Sequence, residues 1–208
     1  CCRRICTSCF DQLAFQPCAL CGAPWANSVK ECLVRLRRHV ENDVPEALHK
    51  LGEAYLEGKF GLKKSGKKAA KLYARAADAG NVEAMVALGR LYDKGNGDER
   101  PVRLDRTKAL EWFQKAALQG LSHAQDVLGG AYEHGRGVPQ SDEKAFELYQ
   151  QSAAQGNSFA QHNLGLCYEN GLGCKQSHER AVELYRQSAA QGYMCAQHNL
   201  AVSETRLM

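Results

Sequence analysis

The sequence lacks several features that define other classes of protein. None of its 208 residues belongs to an apolar run of about 18 residues, so we expect no membrane-spanning helix. It shows no secretory signal. Hydrophobic residues make up 44% and charged residues 24%, which excludes a disordered chain and a collagen-like fibre. Residue 1 is Cys1 and not Met, and we expect the true start of the protein to lie upstream.

A strong excess of positive charge is also missing. The net charge is +4, and it is uneven: residues 1–80 carry +6 and residues 81–208 carry −2. Nucleic-acid binders usually present a strongly basic face. We therefore expect no nucleic-acid partner. The sequence also contains no Ser, His and Asp constellation and no recurring pair of carboxylates, which argues against a hydrolase.

Cysteine is abundant, and it is concentrated at one end of the chain. Six of the 10 cysteines fall within the first 21 residues: Cys1, Cys2, Cys6, Cys9, Cys18 and Cys21. Two residues separate Cys6 from Cys9 and Cys18 from Cys21, a spacing that lets both thiolates of a pair reach one tetrahedral Zn²⁺ ion. Such crowding is typical of zinc ligands in a reducing compartment. We predict a zinc site and an intracellular location, in the cytoplasm or nucleus.

The run from Cys1 to Cys9, followed by the pair Cys18 and Cys21, resembles the second half of a RING-type zinc finger over residues 1–26. The resemblance implies that Cys6 and Cys9 share one zinc with an upstream pair. It also implies that Cys18 and Cys21 share another with Cys2, or with Cys1 as well. A second arrangement is open, in which Cys6, Cys9, Cys18 and Cys21 bind one zinc as a four-cysteine knuckle.

The remainder of the chain is repetitive. The pattern Ala-x3-Leu-Gly-x2-Tyr starts at Ala47, Ala84, Ala124 and Ala160, and a partial copy starts at Ala196. The copies are 36 to 40 residues apart, which is the period of a helical solenoid. Each copy predicts two helices, because apolar and small residues recur at helical spacing. Glycines are expected to end the helices, since glycine adopts the left-handed conformation at little cost.

These repeats resemble the Sel1-like family, which is related to tetratricopeptide repeats. The resemblance implies an all-α fold, an α-α superhelix of helix pairs, over residues 43–208. Residues 27–42 are predicted to form a helix that links the finger to the first pair and caps it. The family implies an interaction adaptor, or scaffold, that binds a protein or peptide on the solenoid. The alternative is a RING-type ubiquitin ligase that binds a ubiquitin-conjugating enzyme and selects substrates with the solenoid.

Two further motifs resemble binding sites. Residues 61–68 come close to a phosphate-binding loop, but Lys68 stands where a magnesium-binding Ser or Thr is needed and no strand precedes the loop. We expect a solvated loop that could meet an acidic partner. His162 and His198 occur in two copies of Ala-Gln-His-Asn-Leu, and both are predicted to lie on exposed helix surface. Asn163 and Asn199 are predicted to form hydrogen bonds between neighbouring helices.

Overall fold

A computed structural model of the chain describes residues 29–95 and 104–206. Within these two ranges it contains ten α-helices, one short 3-10 helix and no strand. The α-helices are α1 (Val29–Glu41), α2 (Pro45–Glu57), α3 (Gly66–Asp78), α4 (Val82–Lys94), α5 (Arg106–Leu118), α6 (Ser122–Glu133), α7 (Asp142–Ala154), α8 (Ser158–Asn170), α9 (His178–Ala190) and α10 (Met194–Arg206). The predicted all-α fold of helix pairs is confirmed. The predicted finger over residues 1–26 lies outside the described residues.

The chain divides into two compact units, Cys1–Asp105 and Arg106–Met208. In the first unit, α1 packs against α2 and buries Leu36, which is 3% exposed. Arg75 of α3 holds the end of α1, because its guanidinium donates to the Val40 carbonyl at 3.3 Å and pairs with the Asp43 carboxylate. Next in the first unit, α2 packs against α3, and α3 packs against α4.

The second unit consists of α5 to α10, each packed against the next. Alanine and tyrosine recur in its core at matching helix positions, as in Ala145 and Ala181 or Tyr149 and Tyr185. The same cluster contains Ala153, Ala160, Leu164, Cys167 and Tyr168. Two buried serines reinforce the repeat. The Ser152 hydroxyl donates to the Ser122 carbonyl, and the Ser188 hydroxyl donates to the Ser158 carbonyl, both at 2.7 Å.

A tyrosine on the second helix of a pair packs against a glycine on the first. A Cβ atom placed on Gly129 would lie 2.7 Å from Tyr149 Cε1, and one on Gly165 would lie 2.6 Å from Tyr185 Cε1. Glycine is required at these positions because any side chain would overlap the ring. Both tyrosines are buried and at most 1% exposed.

One backbone hydrogen bond recurs at the residue that precedes the second helix of a repeat. The amide of the residue before the second helix donates to the carbonyl of the repeat tyrosine in the first. The four cases are Ser65 to Tyr55 (2.9 Å), Asp105 to Tyr92 (2.9 Å), Ser141 to Tyr132 (3.0 Å) and Ser177 to Tyr168 (2.9 Å). The three serines also cap their helices by accepting from the amide three residues on. The glycines after the second helices, such as Gly156 and Gly192, have positive φ angles, as expected.

Candidate functional site

The first helices of successive pairs in the second unit, α6, α8 and α10, are joined through polar side chains. Asn163 Nδ2 of α8 donates to Asp126 Oδ1 of α6 at 3.0 Å. Asn199 Nδ2 of α10 lies 3.1 Å from His162 Nε2 of α8, and His162 Nδ1 lies 3.3 Å from Asn163 Oδ1. We call these four residues, Asp126, His162, Asn163 and Asn199, the polar ladder.

The ladder runs in one direction. An ionised carboxylate only accepts hydrogen bonds, so Asn163 turns its amide nitrogen to Asp126 and its oxygen to His162. His162 must then donate from Nδ1, and its bare Nε2 accepts from Asn199. The geometry therefore fits a neutral His162 with its proton on Nδ1. Burial favours the same state, because it lowers the pKa of His162, against the opposing effects of Asn163 and Glu169.

Asp126 is the acceptor at the end of the ladder. Burial raises the pKa of its carboxyl to about 6, and the hydrogen bond from Asn163 opposes this shift. The negative charge of Glu133, at the far end of α6, adds to the increase in pKa. Ionisation of the Asp126 carboxyl group is therefore costly. Once ionised, the carboxylate accepts a hydrogen bond from a neutral donor, the Asn163 amide.

The carboxylates of Glu133 and Glu169 are also held by neutral donors. The Tyr149 hydroxyl donates to Glu133 at 2.6 Å, and the Tyr185 hydroxyl donates to Glu169 at 2.7 Å. These bonds follow from the close approach of each tyrosine to its glycine, since that contact carries the hydroxyl to the end of the first helix. Arg136 also lies near this end of α6 and donates to the Gly130 carbonyl at 3.5 Å.

An apolar patch adjoins the ladder. It consists of Phe159 at the start of α8, Tyr193 just before α10, and Met194, the first residue of α10. The Phe159 and Tyr193 rings are 4.8 Å apart, and Tyr193 meets His162 edge-on at 5.2 Å. Phe159 is 50% exposed and Met194 is 75% exposed. Large apolar side chains exposed next to partly buried polar groups are typical of surfaces that bind another protein.

The first unit differs at the corresponding positions. In α2, His49 and Lys50 stand at the positions of His162 and Asn163. The distance to the Glu53 carboxylate is 4.0 Å from His49 Nε2 and 3.1 Å from Lys50 Nζ. In α4 the two places hold Val86 and Ala87, which have no polar side chain. The combination of ladder and apolar patch is therefore a feature of α6, α8 and α10.

The structure corrects one prediction about these residues and confirms three. His162 is predicted to lie on exposed surface but is 8% exposed, because Asn199 of α10 and Tyr193, the residue before α10, pack against it. His198 is exposed, as predicted. The predicted hydrogen bonds of Asn163 and Asn199 between helices are confirmed. Sequence reasoning missed Asp126, although its position two residues after a repeat alanine matches that of His162.

The predicted zinc ligands Cys1, Cys2, Cys6, Cys9, Cys18 and Cys21 all lie outside the described residues. Among the described residues, no group of three or more His, Cys, Asp or Glu side chains could hold a metal ion. The described cysteines are free thiols at Cys32, Cys167, Cys174 and Cys195. Burial raises the pKa of Cys167 to about 12, so this thiol is protonated near neutral pH.

None of the described helices is both long and apolar enough to cross a bilayer.

Together, the paired helices, the glycine–tyrosine contacts and the polar face define an all-α helical-repeat protein. The Sel1 repeat model matches residues 45–81, 82–121, 122–157 and 158–193. These matches cover most of the chain, and the chain belongs to the Sel1 repeat family. Sel1-repeat proteins act in protein–protein interaction, and they are generally scaffolds without enzymatic activity.

Two solved structures share both fold and sequence similarity with the chain. A protective antigen of uropathogenic Escherichia coli with an SLR fold is 32% identical and has a TM-score of 0.78, and the match covers 86% of this chain and 38% of the antigen. A Sel1 repeat protein from Oxalobacter formigenes is also 32% identical, with a TM-score of 0.70, over 76% of this chain and 61% of that protein.

Curated relatives are similar over shorter stretches. Chitin synthase regulatory factor 1 of Schizosaccharomyces pombe is 38% identical over 88 residues, which is 42% of this chain and 19% of that protein. The HRD3A component of an ERAD-associated E3 ubiquitin-protein ligase of Arabidopsis thaliana is 41% identical over 61 residues, which is 29% of this chain and 9% of HRD3A. These two matches thus span less than a fifth of each relative's length.

Proposed function

We propose that the protein is an interaction adaptor whose α6, α8 and α10 face binds a segment of another protein. The observation that carries this proposal is the exposed apolar patch of Phe159 and Met194 beside the polar ladder. The ladder fixes the spacing of the three helices, so the face is organised before a partner arrives. A preorganised face loses less entropy on binding than a flexible one.

The adaptor proposal is tested by comparing the partners of wild type and variants. The chain would be expressed with an affinity tag, cross-linked in cells, and its partners quantified by mass spectrometry. Met194→Glu and the double variant Phe159→Glu/Met194→Glu place charge in the apolar patch. Leu118→Glu is the matched control, because Leu118 is 82% exposed but lies at the end of α5.

We expect at least one partner to bind wild type and Leu118→Glu but neither of the two patch variants. Met194 is the more exposed of the two side chains, so Met194→Glu guards against a loss that reflects misfolding. An unchanged set of partners in the patch variants would remove this face as the binding surface.

We further propose that residues 1–26 form a zinc-binding finger. This proposal rests on the spacing of Cys6, Cys9, Cys18 and Cys21 alone, and the thiolate ligands fit a reducing compartment such as the cytoplasm or nucleus. Native mass spectrometry of protein purified without chelator gives the number of zinc ions per chain. One tightly bound zinc supports the four-cysteine knuckle. No zinc supports a cross-brace finger that needs its upstream cysteines.

A second candidate function is a RING-type ubiquitin ligase, which the Cys1–Cys21 spacing favours. Two residues count against it: RING ligases usually carry Pro and a basic residue where this chain has Ala19 and Gly22. The test is ubiquitin chain formation by the full-length protein with a broad panel of ubiquitin-conjugating enzymes. No product with any of them would eliminate this candidate.

A further inference from the structure

Five lysines lie close together at the start of α3, the second helix of the first pair. They are Lys63, Lys64, Lys67, Lys68 and Lys71, and we call them the lysine patch. All five are exposed. They occupy the loop before α3 and the first two turns of that helix, a length of about 10 Å along the helix axis. The patch belongs to the first unit and shares no residue with the α6, α8 and α10 face.

The neighbouring carboxylates do not neutralise the patch. On α2, Glu53 is paired with Lys50 at 3.1 Å and Glu57 is paired with Lys59 at 2.6 Å. The acidic residue of α3 is Asp78, at the opposite end of the helix. Within the described part of the chain, none of the five lysines forms an ion pair, and Lys68 lies over the Tyr55 ring at 5.0 Å.

The helices α7 and α9 carry acidic residues at two of the matching positions. Lys67 corresponds to Glu143 of α7 and Glu179 of α9, and Lys71 corresponds to Glu147 and Glu183. The segment 63–71 thus carries a charge of +5, whereas the matching segments 139–147 and 175–183 carry −2 and 0.

Folding favours the acidic version at this place. Glu143 and Glu179 each accept a hydrogen bond from the capping serine hydroxyl, at 3.0 Å and 2.9 Å. Negative charge in the first turn of a helix also interacts favourably with the helix dipole, whereas lysine there is unfavourable. Lys67 is therefore not explained by the stability of α3. Lys68, in contrast, lies over the repeat tyrosine as Lys144 and Arg180 do in the later repeats.

We propose that the lysine patch binds an acidic segment of a partner protein. About three extended residues of a partner would span the patch, and Asp or Glu side chains would match its charge. A membrane surface is disfavoured because no large apolar side chain of residues 58–78 is among the strongly exposed ones. Single-stranded nucleic acid is disfavoured because Lys68 covers the Tyr55 ring on which a base would stack.

The test measures binding of a fluorescein-labelled polyglutamate peptide to the full chain by fluorescence anisotropy. The double variant Lys67→Glu/Lys71→Glu gives α3 the residue type that α7 and α9 carry at these positions. We expect its affinity for polyglutamate to fall about tenfold or more. Thermal melting is expected to be unchanged or higher, because the new carboxylate at position 67 can accept from Ser65 as Glu143 does from Ser141. A loss of binding then cannot be attributed to unfolding.

The matched control is Lys30→Glu/Lys175→Glu, which changes the total charge equally at two exposed lysines outside the patch. We expect it to bind polyglutamate nearly as well as wild type. Equal weakening in both double variants, or no binding by wild type, would overturn the proposal. It would also be overturned if oligothymidylate or phosphatidylserine vesicles bound the patch more tightly than polyglutamate. Phe159→Glu/Met194→Glu should leave this binding intact, so the outcome does not depend on the adaptor face.

Discussion

Among single residues, the contact between tyrosine and glycine makes the pairs α2–α3, α6–α7 and α8–α9 close-packed. Gly129 and Gly130 are neighbours in α6, but only Gly129 lies under the Tyr149 ring. A Cβ on Gly129 would come within 2.7 Å of the ring, whereas one on Gly130 would be 3.5 Å from the Tyr149 hydroxyl, an ordinary contact. Substitution by alanine is therefore expected to affect stability differently at these two neighbouring positions.

We expect Gly129→Ala to destabilise the protein by about 1–3 kcal/mol, because Tyr149 would have to shift in a packed core. Gly130→Ala is expected to change stability little, or to raise it by up to about 1 kcal/mol, since alanine has the higher helix propensity. Urea unfolding followed by circular dichroism measures both. Equal effects would show that the ring does not constrain Gly129.

The pH dependence of stability is a second property that depends on one residue. Folding raises the pKa of Asp126 to about 6, so the folded chain binds more protons than the unfolded chain just below that pH. Ionisation of Asp126 therefore costs stability as the pH rises through about 6. We expect Asp126→Asn, which keeps an oxygen for Asn163, to be more stable than wild type at about pH 8, by on the order of 2 kcal/mol.

This gain should vanish as the pH falls towards about 4, because Asp126 is then protonated in wild type as well. The lowered pKa of His162 acts in the opposite direction, since the unfolded chain binds its proton more readily below about pH 6.5. His162 is present in both proteins, so comparing their unfolding curves over this range isolates Asp126. A difference independent of pH would contradict the assignment.

The ladder also predicts the tautomer of His162. We expect a neutral imidazole at neutral pH with its proton on Nδ1, because Asn163 accepts from Nδ1 and Asn199 donates to Nε2. The ¹⁵N chemical shifts of the ring distinguish the two tautomers. His198 has the same neighbours in sequence but is exposed, and it serves as the internal reference. A predominantly Nε2-protonated His162 would reverse the direction of the ladder.

For whole helices, capping by serine determines where α3, α7 and α9 begin. Ser141 accepts from the Lys144 amide at 3.3 Å, and its own amide donates to the Tyr132 carbonyl at 3.0 Å. The side chain thus begins α7 at the same point at which the backbone closes the connection.

We expect Ser141→Ala to destabilise the protein by about 1 kcal/mol, the usual cost of removing a capping side chain. Ser141→Asn should restore most of this loss, because asparagine already caps α4 at Asn81 and α8 at Asn157. Thermal unfolding of the three proteins gives the comparison. Failure of asparagine to restore stability would assign the effect of alanine to something other than capping.

Across the molecule as a whole, the cysteine-rich start and the helical repeats are distinct in composition. The helices of the second unit are held by buried side chains and by hydrogen bonds between repeats. These core residues and bonds include no predicted zinc ligand. The repeats should therefore keep their structure without metal.

We expect a strong chelator to remove zinc without loss of the helical circular dichroism signal. Metal content by mass spectrometry and ellipticity would be followed in the same samples. Collapse of the helical signal with zinc release would show that the finger supports the repeats. Zinc retained by a variant with Cys6, Cys9, Cys18 and Cys21 replaced by serine would contradict the proposed ligands.

The helical-repeat fold could be predicted from the amino-acid sequence, because periodic Ala, Leu, Gly and Tyr residues specify both the helices and the faces that pack. The interhelical bonds of Asn163 and Asn199 were predictable for the same reason. The difference between His162 and His198 was not, although both lie in Ala-Gln-His-Asn-Leu. Burial of His162 depends on Tyr193 and on Asn199 of α10, and the sequence around His162 does not encode these neighbours. Asp126 likewise emerged from the packing of the helices, since its role depends on an asparagine 37 residues away.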